Sequence, residues 1–305
     1  GILQHGIPLL LNGQVSWSAF PSHYLMALGM AVVDDVHWGG RMMSAIAGSI
    51  LILLSYALGH KVLKSRTGAL ASASMMAFLT IEVAWSRQAR LYTHLQLFSL
   101  TSLLCGVRYI DRRQLGDMVV CLGCCILAIS THRAGYHLIP VLAVLWLMRT
   151  RSVHEVEPWS WRKKFFAILG VIVAVSPIVF IQGNSDLQVT MRELLAPSMT
   201  NYSSGYAQFL WQGLGAVLCA AILGGVMSLF NHGRLTTAMI FGIGIYLYVI
   251  VFQTQLFAAR YLLPIVPALI LLASYVVAVP TELAKRYGGA STAKTIVVGI
   301  VTTGL

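Results

Sequence analysis

MVVCLGCCILAISTHRAGYHLIPVLAVLWLM, residues 118–148, is an apolar run broken once, by THRAGYH. On either side of the break stand residues that lipid accepts; within it stand His132, Arg133 and His137, which lipid rejects. As helices, the flanking segments at roughly 117–131 and 136–148 would rise only ~23 and ~20 Å. Neither length covers a hydrocarbon core of ~30 Å. The turn is therefore expected below the membrane surface, where irregular backbone survives only inside protein or along a wet cavity. This predicts a polar cavity opening outward, with His132 and Arg133 on its wall. The competing reading is that the helices run past their apolar residues and the turn reaches the headgroups.

The rest of the chain agrees with a membrane setting. Of its 305 residues 57% are hydrophobic and 10% charged, with a mean hydropathy of +0.77; a soluble domain carries about 25% charged residues. Apolar stretches recur at roughly 43–59, 68–85, 91–110, 117–131, 136–148, 165–181, 209–230, 235–257, 262–281 and 291–305. The expected fold class is all-α, a polytopic helical bundle of about ten spans occupying 43–305. Residues 1–42 are broken by Gly, Pro and Ser and carry Trp17, Tyr24 and Trp38. They are expected as an outer-face segment of amphipathic helices along the membrane surface. Residues 182–208 form a long outer loop of a length often used for lids.

Charge sorts by alternation across these spans. Fifteen of the 21 basic residues fall on one side and six on the other, and the richer side is expected to be cytoplasmic. Every Lys lies there; the six outer residues, Arg41, Arg87, Arg90, Arg133, Arg192 and Arg260, are all Arg. The net charge of +11 thus resides in short loops and forms no stripe on a soluble face, which argues against a nucleic-acid partner. Cys121 and Cys125 are one helical turn apart, but all five cysteines sit in apolar spans and read as small packing residues, with no metal site.

Two further outer clusters join THRAGYH. IEVAWSRQARLYTH, 81–94, brings Glu82 at a span end, then Arg87 and Arg90 three apart, then Tyr92. On a helix, positions three apart share a face, so both Arg could meet one anion. FAARYLLPIVPAL, 257–269, places Arg260 and Tyr261 before Pro264 and Pro267 at a helix start, where proline is tolerated. Each cluster sets Arg beside Tyr or His, as an outer site for an anionic ligand would require. The competing reading for the 81–94 cluster is headgroup anchoring in the aromatic belt.

WSRQARLYTHLQLFSLTSLL (85–104) resembles the signature opening a span in GT-C glycosyltransferases of the dolichyl-phosphate-mannose protein mannosyltransferase type. That group includes the bacterial aminoarabinose transferases that modify lipid A. ILQHGIPLLLNG, PSHYLMALGMAVVDDVHWGGRMMSAIAG, THRAGYHLIPVL and ARYLLPIVPAL are similar to other family segments in the same order, covering most of 1–280. The resemblance implies transfer of a sugar from a polyprenyl-phosphate donor to a lipid or protein acceptor on the outer face. Short loops favour a bacterial inner membrane, with that face toward the periplasm, over the lumen of a eukaryotic compartment. Arg87, Arg90, Arg133 and Arg260 would bind the lipid phosphate. Glu82, His132, Tyr92 and Tyr261 would contact sugar or acceptor, the two Tyr also orienting neighbours.

The family's catalytic Asp would fall upstream of Gly1, so the chain reads as a piece of a longer protein and its catalytic residue is unknown. Asp34 and Asp35 match a variable turn. No cofactor is implied beyond room for a divalent cation. Two other classes remain in view: a transporter or flippase of an anionic lipid or solute, and a non-catalytic membrane partner. The absence of an internal repeat weighs against the transporter.

Overall fold

The computed structural model describes residues 19–149, 203–230 and 259–287, together with residues 2, 240, 243, 244 and 246. Among the described residues every element is helical and none is a strand. Three helical hairpins organise the first half. Helix α1 (Phe20–Val33) reverses into α2 (Val36–Leu63), and α2 reverses into α3 (Arg66–Phe78). After the short α4 (Thr80–Ser86), α5 (Leu91–Arg112) reverses into α6 (Leu115–Thr131).

Each reversal takes two residues of one conformational pattern. The first is left-handed: Asp34 at φ 56°, Lys64 at φ 53° and Arg113 at φ 57°. Its N–H donates to the carbonyl four residues back, on Met30, His60 and Tyr109 respectively. The second residue is extended or nearly so and restarts the chain. Asp35 caps α2 by accepting the Trp38 N–H at 2.7 Å, and Ser65 caps α3 by accepting the Gly68 N–H at 3.4 Å. Left-handed geometry costs a non-glycine residue about 1 kcal/mol. At Lys64 and Arg113 a cation beside the helix C-terminus offsets part of that.

Beyond α6 the chain forms a 3-10 turn (Arg133–His137) and α7 (Leu138–Arg149), then α8 (Ser203–Phe230), a second 3-10 turn (Ala259–Ile265) and α9 (Val266–Tyr287). The first of these turns lies on the end of α6. A Cβ at Gly135 would sit 2.6 Å from the Ala128 carbonyl carbon and 2.7 Å from the Ile129 nitrogen, so only glycine fits. The stretch expected as one span at 68–85 is instead broken. α3 and α4 meet at Leu79 with a 57° bend, and neither Pro nor Gly stands there. The spans expected at 165–181 and 291–305, most of 235–257, and residues 182–202 of the outer loop lie outside the described residues. Residues 203–208 of that loop already belong to α8.

α5 and α9 form the centre. α9 is flanked by α8 and α3, which approach it at glycines: a Cβ at Gly224 would collide with the Leu272 carbonyl, and one at Gly68 would sit 2.7 Å from the Ala278 Cβ. α2 offers a buried stripe of Gly40, Ser44, Ala47, Leu51, Ser55 and Leu58. α5 buries Thr93, His94, Gln96, Ser99 and Ser102 among its apolar residues.

The outside is apolar where a soluble protein would be polar. Ile46, Leu53, Leu70, Phe78 (83% exposed), Val119, Leu223 and Val226 point outward, while the buried serines point in. Large contiguous apolar exposure of this kind is stable in lipid and not in water. α2 and the stretch Leu262–Glu282 are each long and apolar enough to cross a membrane, and the bent α3–α4 pair would make a third span. The protein is an integral membrane protein.

The fit of Gly135 yields a stability test. Gly135→Ala should lower the thermal midpoint in detergent micelles by several degrees, because the colliding atoms are backbone and overpacking costs roughly 1–3 kcal/mol. Gly123→Ala, where a Cβ meets nothing within 4 Å, should leave it equal or slightly higher.

Candidate functional site

Both ends of the bundle are polar, in different ways. At one end Lys61 pairs with Asp111, and Arg108 with Asp117 at 3.5 Å. At the other end three chain reversals, each bearing Arg, come together.

The first reversal joins α4 to α5 through Arg87–Arg90. It is laced from inside: the Thr93 hydroxyl donates to the Trp85 carbonyl at 3.3 Å, and the Trp85 and Tyr92 rings meet edge-on at 5.3 Å. Arg87 and Arg90 stand exposed on the turn. One helical turn further in, Glu82 is buried at 5% exposure, and its Oε1 accepts from Gln96 Nε2 at 2.9 Å.

The second reversal is the THRAGYH turn. His132 leaves α6 in an extended conformation, and its Nδ1 accepts the Ala134 N–H at 3.1 Å, acting as the cap of the 3-10 turn. The ring proton is therefore on Nε2. His137 is the reverse case. Its Nδ1 lies 2.5 Å from the Ala134 carbonyl, which can only accept, so Nδ1 carries the proton and Nε2 is the acceptor. Arg133 is exposed, while Ala134 and Gly135 are buried against the protein. The His132 ring packs on Tyr92, centroids 5.5 Å apart, which fastens this turn to the first.

The third reversal, Ala259–Ile265, carries Arg260 and Tyr261. It packs on α5 and touches the THRAGYH turn. Its anchor is Gln96 again: the same Nε2 donates to the Leu263 carbonyl at 2.8 Å. Below it lies a small cavity of about 30 Å³, lined by Ser99, Leu103, His137, Val141, Pro264 and Pro267 among others. Neither His132 nor Arg133 lines this cavity.

Of the residues expected from sequence, Arg87, Arg90 and Arg133 thus lie on reversals that meet at one end of the bundle. Arg260 and Tyr261 have their backbone in the third reversal; their side chains lie outside the described residues. Tyr92 and His132 are in ring contact with each other. Glu82 points into the bundle, toward Gln96, and not to the surface with the arginines. Asp34 and Asp35 are exposed in the α1–α2 turn, where Asp35 serves as a helix cap. Sequence reasoning missed Gln96. Its signals were a lone carboxamide inside an apolar span, and prolines at 264 and 267 that strip nearby carbonyls of donors.

Residues 19–181 match the family described as dolichyl-phosphate-mannose-protein mannosyltransferase. Among solved structures the chain is similar to ArnT from Cupriavidus metallidurans in the apo state, with a TM-score of 0.65 at 15% identity. The superposition covers 90% of this chain and 52% of that one, so the chain spans about half the length of that protein. At this identity the likeness shows the fold. No curated protein matches the chain significantly.

The cap at the THRAGYH turn can be tested directly. His132→Ala removes the acceptor for the Ala134 N–H and should cost about 1 kcal/mol, read as a lower unfolding midpoint in micelles. His132→Asn, which keeps a side-chain acceptor, should recover most of it.

Proposed function

Because the chain belongs to the dolichyl-phosphate-mannose-protein mannosyltransferase family, within the GT-C glycosyltransferases, we propose that it takes part in moving a sugar from a polyprenyl-phosphate donor to a lipid or protein acceptor. The site is the end of the bundle where the three Arg-bearing reversals meet. In a cell this end faces the periplasm at a bacterial inner membrane.

The chemistry follows from what leaves. When the anomeric carbon is attacked, the lipid phosphate departs with additional negative charge. Donors already fixed at that position lower the barrier more than donors that must reorganise. Guanidinium suits this role, since it stays charged and grips phosphate through two parallel hydrogen bonds. Arg87, Arg90, Arg133 and Arg260 are assigned to the phosphate. His132, with its proton on Nε2, and Tyr261 are assigned to sugar or acceptor. Tyr92, wedged between Trp85 and His132, orients the imidazole. Glu82 is assigned an internal role, because its carboxylate is engaged by Gln96.

One observation carries this reading. Reversals distant in sequence are joined by specific contacts, Tyr92 on His132 and Gln96 on the Leu263 carbonyl, at the residues flanking each Arg. Headgroup anchoring would need arginines at the membrane surface but would not need their turns tied to one another.

The test uses the full-length protein in proteoliposomes supplied with labelled polyprenyl-phosphate sugar and membrane extract as acceptor. Label should leave the donor for a lipid or protein product. Arg133→Ala should cut the rate about 10²-fold or more, with the protein still present in the membrane at wild-type level. Wild-type turnover in that variant removes Arg133 from the site, and a wild-type protein that leaves the donor intact overturns the function.

A further inference from the structure

We infer that Gln96 is a positioning residue, whose carboxamide sets the separation between the Arg87–Arg90 turn and the Arg260–Tyr261 turn by holding Glu82 and the Leu263 carbonyl at once. The inference rests on the proposed transfer reaction and adds to it a residue that touches neither donor nor acceptor.

Demand for the contact comes from the backbone. In a continuing α-helix the Leu263 carbonyl would accept the N–H of residue 267, but that residue is Pro267, which has none. Pro264 removes another donor from the same turn. The 3-10 turn offers that carbonyl only the N–H of Val266, three residues on, so its second lone pair is open to a side chain from another helix. Gln96, at 2% exposure, reaches it at 2.8 Å.

Supply comes from the chemistry of the amide. Its nitrogen has two hydrogens, one directed at Leu263 and the other at Glu82 Oε1, 2.9 Å away. No other side chain of this size fits both ends. Glutamate has at most one hydrogen to give, asparagine is a methylene shorter, and leucine or methionine has none. The α3–α4 bend supports the same arrangement. The chain turns through 57° at Leu79 without proline or glycine, and three residues later Glu82 meets Gln96.

The placement gives the contact its role. Glu82 lies five residues before Arg87 on the seven-residue α4, and Leu263 lies three residues after Arg260 within one 3-10 turn. The two ends of the clamp are thus each about one helical turn from an Arg assigned to the lipid phosphate. A fully paired buried polar trio adds little net stability over apolar packing. What it adds is a fixed distance.

The experiment measures donor and acceptor KM separately in the full-length protein. Gln96→Met keeps the volume and removes both hydrogen bonds. It should raise donor KM about tenfold through misplacement of the phosphate donors, with acceptor KM within twofold of wild type. A merely structural role would lower the amount of active protein and leave both KM values alone. Glu82→Leu should shift donor KM in the same direction, and Glu82→Gln, which keeps an oxygen at the acceptor position, should recover most of the loss. These two variants carry the test should Gln96→Met fail to fold. Donor KM within twofold of wild type in Gln96→Met, or Glu82→Gln as impaired as Glu82→Leu, overturns the inference. If the wild-type protein transfers no sugar, the proposed function fails, and amide exchange then decides the clamp by itself. Gln96→Met should speed exchange across 259–266, and unchanged exchange there overturns it.

Discussion

A peptide group in hydrocarbon has no water to bond, so every N–H and C=O released by a chain reversal must find a partner within the protein. Three reversals stand at the arginine end of this bundle, and each is completed by side chains. Thr93 donates to the Trp85 carbonyl, His132 accepts from the Ala134 N–H, His137 donates to the Ala134 carbonyl, and Gln96 donates to the Leu263 carbonyl. The polar residues that complete the fold are therefore the residues, or the neighbours of the residues, from which the proposed site is built.

This explains why α5 differs from its neighbours. It is not among the helices apolar enough to cross a membrane on their own terms, yet it runs through the centre with a largely buried face. Thr93 and Gln96 serve the reversals at the arginine end. Deeper, the Ser102 hydroxyl donates to the Cys121 carbonyl at 2.8 Å and holds α5 to α6. At the far end Arg108 on α5 faces Asp117 on α6. Lipid contact is left to the surrounding helices, whose outward faces carry Leu53, Leu70, Val119 and Leu223.

Helix existence was legible wherever apolar residues ran uninterrupted, because burial in lipid and burial in protein both require them. The stretches read at 91–110 and 117–131 appear as Leu91–Arg112 and Leu115–Thr131, each longer by two residues at the end where they meet, where polar groups still fit a helix. The break at Leu79 was not legible. No local breaker marks it, and the nearby contact of Glu82 is with a residue on another helix. Nor were the tight hairpin turns, since Asp34, Lys64 and Arg113 occupy backbone positions where sequence rules look for glycine. The clustering of Arg with Tyr and His picked out three reversals that the fold brings to one end of the bundle. The inward direction of Glu82 and the double engagement of Gln96 required coordinates, because spacing along one helix says nothing about a carbonyl 167 residues away.

The two-residue hairpins also bear on how such a chain enters the bilayer. A segment carrying Thr93, His94, Gln96, Ser99 and Ser102 partitions poorly when released into lipid as an isolated helix. Joined to the strongly apolar α6 by only Arg113 and Gln114, it has a partner at hand to shield one of its faces as soon as α6 follows it. Insertion in pairs lets the machinery accept a helix that a single-segment threshold would refuse, and a longer linker at 113–114 would expose that helix to rejection into the aqueous phase.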